Sequence, residues 1–169
     1  ALEENTTGAD NVAVGANALD ENTTASYNVA VGRNALGANV TGERNTAIGN
    51  ASLLNNTGTT NTAVGDRALN ANTTGGYNTA VGSEALEANT TAFNNVAVGW
   101  RALHSNTTGT ANVTVGTSAL QANTTANNNT AIGHSALHLN TTGTQNTAVG
   151  AYALDANTTS NSNTGIGYQ

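Results

Sequence analysis

Cysteine, proline, methionine and lysine are all absent from the 169 residues, and each absence closes off a class of structure or chemistry. Without cysteine there is no disulfide, no thiolate metal site and no thiol nucleophile. Without lysine, and with four arginines against ten acidic residues for a net charge of −6, no basic patch can neutralise phosphates, so nucleic acid is not an expected partner. No apolar run approaches the ~20 residues that a membrane-spanning helix needs, so insertion into a bilayer is not expected. Without proline, every backbone N–H is free to join a ladder of hydrogen bonds. The missing methionine suggests a processed subunit or an excerpt from a longer repeat array.

What is present is a repeat. Asn61-Thr62-Ala63-Val64-Gly65, Asn78-Thr79-Ala80-Val81-Gly82 and Asn95-Val96-Ala97-Val98-Gly99 open successive units 17 residues apart. The same phase starts units at Asn11, Asn28, Asn45, Asn112, Asn129, Asn146 and Asn163, and only the Asn45 unit is one residue short. Gly follows the strand-like segment in all ten copies, Ala-Leu comes after two variable residues, and Asn-Thr-Thr comes after two more. A fixed short period means stacked coils, each burying its apolar face against its neighbours. The arginines, acidic residues, histidines and aromatics all sit at variable positions, as expected if the invariant positions form the lattice.

The predicted fold is all-β: a parallel β-solenoid or β-roll of about ten 17-residue coils, possible as a single chain or as a trimer. It is read as one repeat domain over 1–169, with a partial unit at 1–10, nine units at 11–162, a partial unit at 163–169 and no caps. Thr79 and Val81 share one strand face and Ala80 takes the other. The β-branched face is read as inward. The expected core ladder is therefore Val14, Val31, Ile48, Val64, Val81, Val98, Val115, Ile132, Val149 and Ile166, with Leu19, Leu36, Leu53, Leu69, Leu86, Leu103, Leu120, Leu137 and Leu154 as a second inward column. A short helical turn around Ala-Leu is compatible with the pattern. Asn and Thr supply 29 and 30 residues, a composition that in an aperiodic chain would suggest disorder. Strict phasing points to side-chain ladders instead. Ten coils at about 4.8 Å each give a rod roughly 48 Å long.

One Val or Ile and one Leu per coil gain only about 3–5 kcal/mol on burial, against about 1–2 kcal/mol per residue for ordering the backbone. Hydrogen bonding must offset the rest, and partner chains would help. The Ala and Gly side of the strand invites close approach by another chain, so a parallel homotrimer about a shared axis is the favoured assembly. A thin single-chain solenoid is the competing one, and end-to-end stacking is a further expectation.

Asn-x-Ser/Thr recurs once per coil, at Asn5, Asn22, Asn39, Asn55, Asn72, Asn89, Asn106, Asn123, Asn140 and Asn157. In a secreted protein these are candidate N-glycosylation sites. The competing reading is that Asn and Thr form corner ladders and carry no sugar. Repeated Thr also raises ice binding, although four copies carry Val where a Thr column would run (Val12, Val29, Val96 and Val113). His104, His134 and His138 are read as surface residues with no metal site. Trp100, Phe93, Tyr77 and Tyr152 are candidate contacts for sugar or protein. No nucleophile–base–orienter set and no glycine-rich phosphate loop can be assembled, so neither catalysis nor a cofactor is expected.

The Asn-Thr-Ala-Val-Gly-x-x-Ala-Leu-x-x-Asn-Thr-Thr-Gly unit resembles repeats of phage tail-fibre-like proteins and of the head domains of trimeric autotransporter adhesins, over the whole chain. The resemblance implies a parallel β-roll, trimerisation and receptor binding. The adhesin-head period is usually shorter, and the 169 residues contain no coiled-coil stalk, membrane anchor or chaperone domain of those families. The expected function is a structural fibre or filament segment, outside the cell, on its surface or on a virion, with itself as partner and a glycan or cell-surface receptor as a possible second. The alternative is an ice-binding or glycan-binding module.

Overall fold

The computed structural model describes all residues 1–169. It contains ten three-residue strands and no helix: β1 (Val12–Val14), β2 (Val29–Val31), β3 (Thr46–Ile48), β4 (Thr62–Val64), β5 (Thr79–Val81), β6 (Val96–Val98), β7 (Val113–Val115), β8 (Thr130–Ile132), β9 (Thr147–Val149) and β10 (Thr164–Ile166). The strands form one parallel sheet in sequence order. Register never slips: Val12 pairs with Val29, Thr46 with Thr62 and Thr147 with Thr164. The chain is thus a β-solenoid with one strand per turn, and the repeat period is the length of one turn. No helix is long and apolar enough to cross a membrane.

The ladder extends far beyond the strands. Of 109 backbone hydrogen bonds, 18 lie within the strands and 91 run through turns and corners. Gly82 N donates to Val64 O at 2.8 Å, Leu86 N to Ala102 O at 3.1 Å, and Thr73 N to Thr90 O at 2.8 Å, so three separate stretches of each coil bond to a neighbour. This explains why proline is excluded from the whole unit: it would leave a carbonyl of the adjacent coil without its donor.

The core is one layer thick and inverts the expected strand orientation. Ala30, Ala47, Ala63, Ala80, Ala97, Ala131 and Ala148, the middle strand residues, have no exposed surface and join one apolar cluster with Leu19, Leu36, Leu53, Leu69, Leu86, Leu103, Leu120 and Leu137. Leu154 packs against the edge of this cluster, half-buried. The residues expected to form the first inward column do not point inward. Val14, Ile48, Val81, Val115, Ile132 and Ile166 are exposed, and Val31, Val64, Val98 and Val149 are half-buried on the same outer side. The cause is the width of the coil. The mid-strand position facing the leucines holds Ala in eight strands, Gly165 in β10 and the fully buried Thr114 in β7, whose Oγ1 donates to Val96 O at 3.0 Å, so the space between strand and leucine is filled by side chains no larger than Thr. Ile there would overfill the layer. The small-residue face that was expected to admit a second chain is therefore filled by the chain's own leucines.

The turn around Ala-Leu is not helical. Leu86 sits at φ 51° and Glu84 at φ 57°, in the left-handed region on either side of Ala85. The same alternation recurs in every coil, from Asn17 and Leu19 to Tyr152 and Leu154. Left-handed backbone is hardest on β-branched side chains, which accounts for Leu rather than Val or Ile in this column. Gly82, at φ +136°, ends its strand where a Cβ would meet Gly99 O of the next coil at 2.5 Å, so both conformation and stacking demand glycine.

Candidate functional site

Two features recur in all coils with little variation, and only one of them is explained by packing. The first is the corner. In each coil one carbonyl accepts two side-chain amides: Gly75 O takes Asn61 Nδ2 and Asn72 Nδ2, both at 2.9 Å. Asn78 N donates to Asn61 Oδ1 at 3.0 Å, and Asn89 Nδ2 donates to Asn72 Oδ1 at 2.7 Å, so each asparagine also ties its coil to the next. Both columns are buried, and their invariance follows from buried amides that pair in nearly every coil.

The sequon asparagines, read either as glycan acceptors or as unmodified corner ladders, form the ladders here. Asn22, Asn39, Asn72, Asn89, Asn106, Asn123 and Asn140 have no exposed surface. Their Nδ2 atoms point into the corner, as in Asn106 Nδ2 to Gly109 O at 2.9 Å and Asn140 Nδ2 to Gly143 O at 2.9 Å. A sugar on that nitrogen would displace the next coil. Asn5 and Asn157, in the end turns, are half-buried and make the same bond, to Gly8 O at 3.0 Å and Ser160 O at 3.1 Å. In the short unit Asn56, not Asn55, takes the ladder place, donating to Gly58 O at 2.8 Å, and Asn55 lies exposed. The missing residue is absorbed at this corner, which leaves strand register intact from β3 to β4. The amide ladder is interrupted nearby, and Asn22 Oδ1 is buried with no partner.

The second invariant feature is the outer side of the sheet. Val81 and its column neighbours are flanked above and below by one another, so inside the rod their exposure does not exceed 40% even though they point outward, rising to 57% at Val14 and 77% at Ile166 in the end rungs. Thr79 and Val81, Thr130 and Ile132, and Thr147 and Val149 stand side by side on consecutive or nearby rungs. Across all ten rungs the two outward positions hold only Val, Ile or Thr. Ordinary exposed sheet faces alternate polar residues outward. A face that is open to solvent yet as constant as the core is the part of the molecule whose sequence packing does not dictate. The clue in the sequence was the exchange of Thr and Val in one column, which a buried column would tolerate poorly.

One cluster of charged groups lies on the opposite, variable side. Glu84, Glu87 and His104 place their ligand atoms within 4.8 Å of one another, the only such group that could hold a metal. Arginines already engage it. Arg101 Nε donates to Glu84 Oε2 at 2.6 Å, Arg67 pairs with Glu87, and His104 Nε2 lies 3.1 Å from Glu87 Oε2. The hydrogen bond from Arg101, helped by the nearby positive charges and opposed by partial desolvation, holds the Glu84 carboxyl below its usual range. Two guanidinium groups facing two carboxylates make a column of vertical ion pairs, with Arg67, Glu84 and Arg101 at one position of three successive coils. The other expected contacts scatter. His134 is exposed and lies edge-on to Tyr152 at 5.0 Å. His138 Nδ1 lies 3.2 Å from Ser118 O. Trp100 lies under the Arg101 guanidinium at 5.0 Å, while Tyr77 and Phe93 are exposed at a corner. No surface or enclosed pocket is present.

No protein family, curated protein or solved structure matches the chain.

Proposed function

We propose that the chain is a structural rod: a segment of a fibre outside the cell, on its surface or on a virion, of the kind its tail-fibre-like and adhesin-head-like unit suggests. The observation that carries this reading is the sameness of the bonding at every rung. The strand-end glycine donates to the strand of the preceding coil nine times in succession, from Gly32 N to Val14 O at 2.8 Å through Gly167 N to Val149 O at 2.9 Å. A lattice with one repeating bond pattern is quasi-one-dimensional: each coil contacts only its neighbours, and coils added in phase extend it without altering it. Its partner in this reading is itself, in trimers or end to end. Adhesive contacts with a glycan or receptor fall to variable corner residues such as Tyr77 and Trp100.

The test is to join two copies of the chain in repeat phase and image single and double chains by electron microscopy. The rod should lengthen by about 4.8 Å for every added coil at constant width. A double chain that folds back or becomes thicker would contradict a rod function.

A further inference from the structure

We propose that the outer strand face binds ice, through a two-dimensional array of methyl and hydroxyl groups that orders water into a lattice-matched layer. The face repeats in two directions at once. Successive rungs are spaced by about 4.8 Å along the rod, and the two outward residues of one strand by about 7 Å across it. Both distances lie close to oxygen repeats on the prism faces of hexagonal ice. The array is also rigid. Each residue is held in unbroken register by the ladder, and β-branched side chains are stiff at χ1.

The chemistry suits water that must resemble ice. Methyl groups of Val81, Val98 and their column leave first-shell water to bond with itself. The hydroxyls of Thr46, Thr62 and Thr79 anchor that layer by accepting and donating single hydrogen bonds. No charged side chain interrupts the array, and a charge would hold water in its own geometry.

Other occupants fit less well. The strip measures roughly 48 by 10 Å, so two copies meeting through it would bury about 960 Å² in total, below the ~1,200 Å² at which stable protein interfaces begin. Its translational symmetry would also leave such a pair without a unique register, since sliding by one rung restores nearly the same contacts. A crystal lattice shares that symmetry and has no upper limit of area. A polysaccharide would call for aromatic platforms, and no aromatic side chain occupies the two outward positions. The proposal concerns the face alone and stands apart from whether the rod belongs to a longer fibre.

The experiment measures thermal hysteresis and inhibition of ice recrystallisation by the full chain, with thermal unfolding monitored in parallel. Two face variants, Val81→Lys and Thr79→Tyr, are compared with Thr91→Lys at an exposed position off the face. Faceted ice growth and hysteresis in the unmodified chain, lost in both face variants and kept in Thr91→Lys at unchanged melting temperature, is the expected result. Thr79→Tyr adds bulk without charge, so it remains informative should Val81→Lys unfold. Absence of activity at high concentration overturns the proposal, as does equal activity in face and control variants. A stable dimer in sedimentation that Val81→Lys dissolves also overturns it, because the face would then belong to a second copy.

Discussion

Ala80 and Val81 are neighbours in one strand, yet the smaller is sealed and the larger is 36% exposed. Hydrophobicity alone would place them the other way round. The difference teaches that in so thin a solenoid, volume decides orientation before hydrophobicity does. The leucine opposite fills the layer, and what remains takes Ala in most coils and Thr114 in one. The surplus apolar residues are then carried on the outside, where their constancy demands another explanation.

Emptying the inner side should have the largest effect. Leu86→Ala is expected to destabilise the chain by about 2–5 kcal/mol, read by urea denaturation at constant m-value. Overfilling the same layer from the strand, with Ala80→Ile, should cost about 1–3 kcal/mol. If Ala80→Ile were neutral, the width argument would fail. Asn72→Ala strips the corner of its shared amide and leaves Asn56 Oδ1, bonded at 2.6 Å, without that donor. Asn56 Oδ1 keeps only the longer bond from Asn61 Nδ2 at 3.3 Å, about 1 kcal/mol is expected for the lost hydrogen bond, and hydrogen exchange should rise first at this corner. On the outer side, Val81→Ala should change stability by no more than about 0.5 kcal/mol, in contrast to its neighbour.

The smallest effect is electrostatic. Glu84 is held ionised by Arg101, so its folded pKa lies below the ordinary 4.5. Its contribution is complete above that value and is lost as pH falls through the folded pKa. Melting temperature should therefore not vary with pH through this group near neutrality and fall below about pH 4.5. Glu84→Gln should remove part of that acid dependence by slightly lowering the neutral melting temperature toward the acid value. Equal acid sensitivity in both chains would show that the ion-pair column is inert.

Much of this fold was legible because the period itself encodes it. Phase, strand positions and the Ala-Leu column followed from spacing, since a residue can stack only on its counterpart. The orientation of the strand was not legible from alternation, because Thr-Ala-Val over three residues offers an apolar side either way. Only the Leu opposite, which packs against the small middle residue, settles it. The asparagine sequons left two readings open for a related reason: a local motif says nothing of whether its nitrogen faces water. The left-handed residues were hidden as well, since Glu84, Arg101, Ser118 and Tyr152 share a conformation without sharing a chemistry. The candidate face could have been recognised from Thr46 and Val29 occupying one column, which only an outward position accepts freely.

Because the chain contains no cysteine, one introduced thiol reports its own surroundings. Ala80→Cys and Val81→Cys, each treated with a maleimide under native conditions, test the inversion directly. The account predicts rapid labelling at position 81 and labelling at position 80 only on unfolding. Protection at 81 with reaction at 80 would turn the strand over and contradict it.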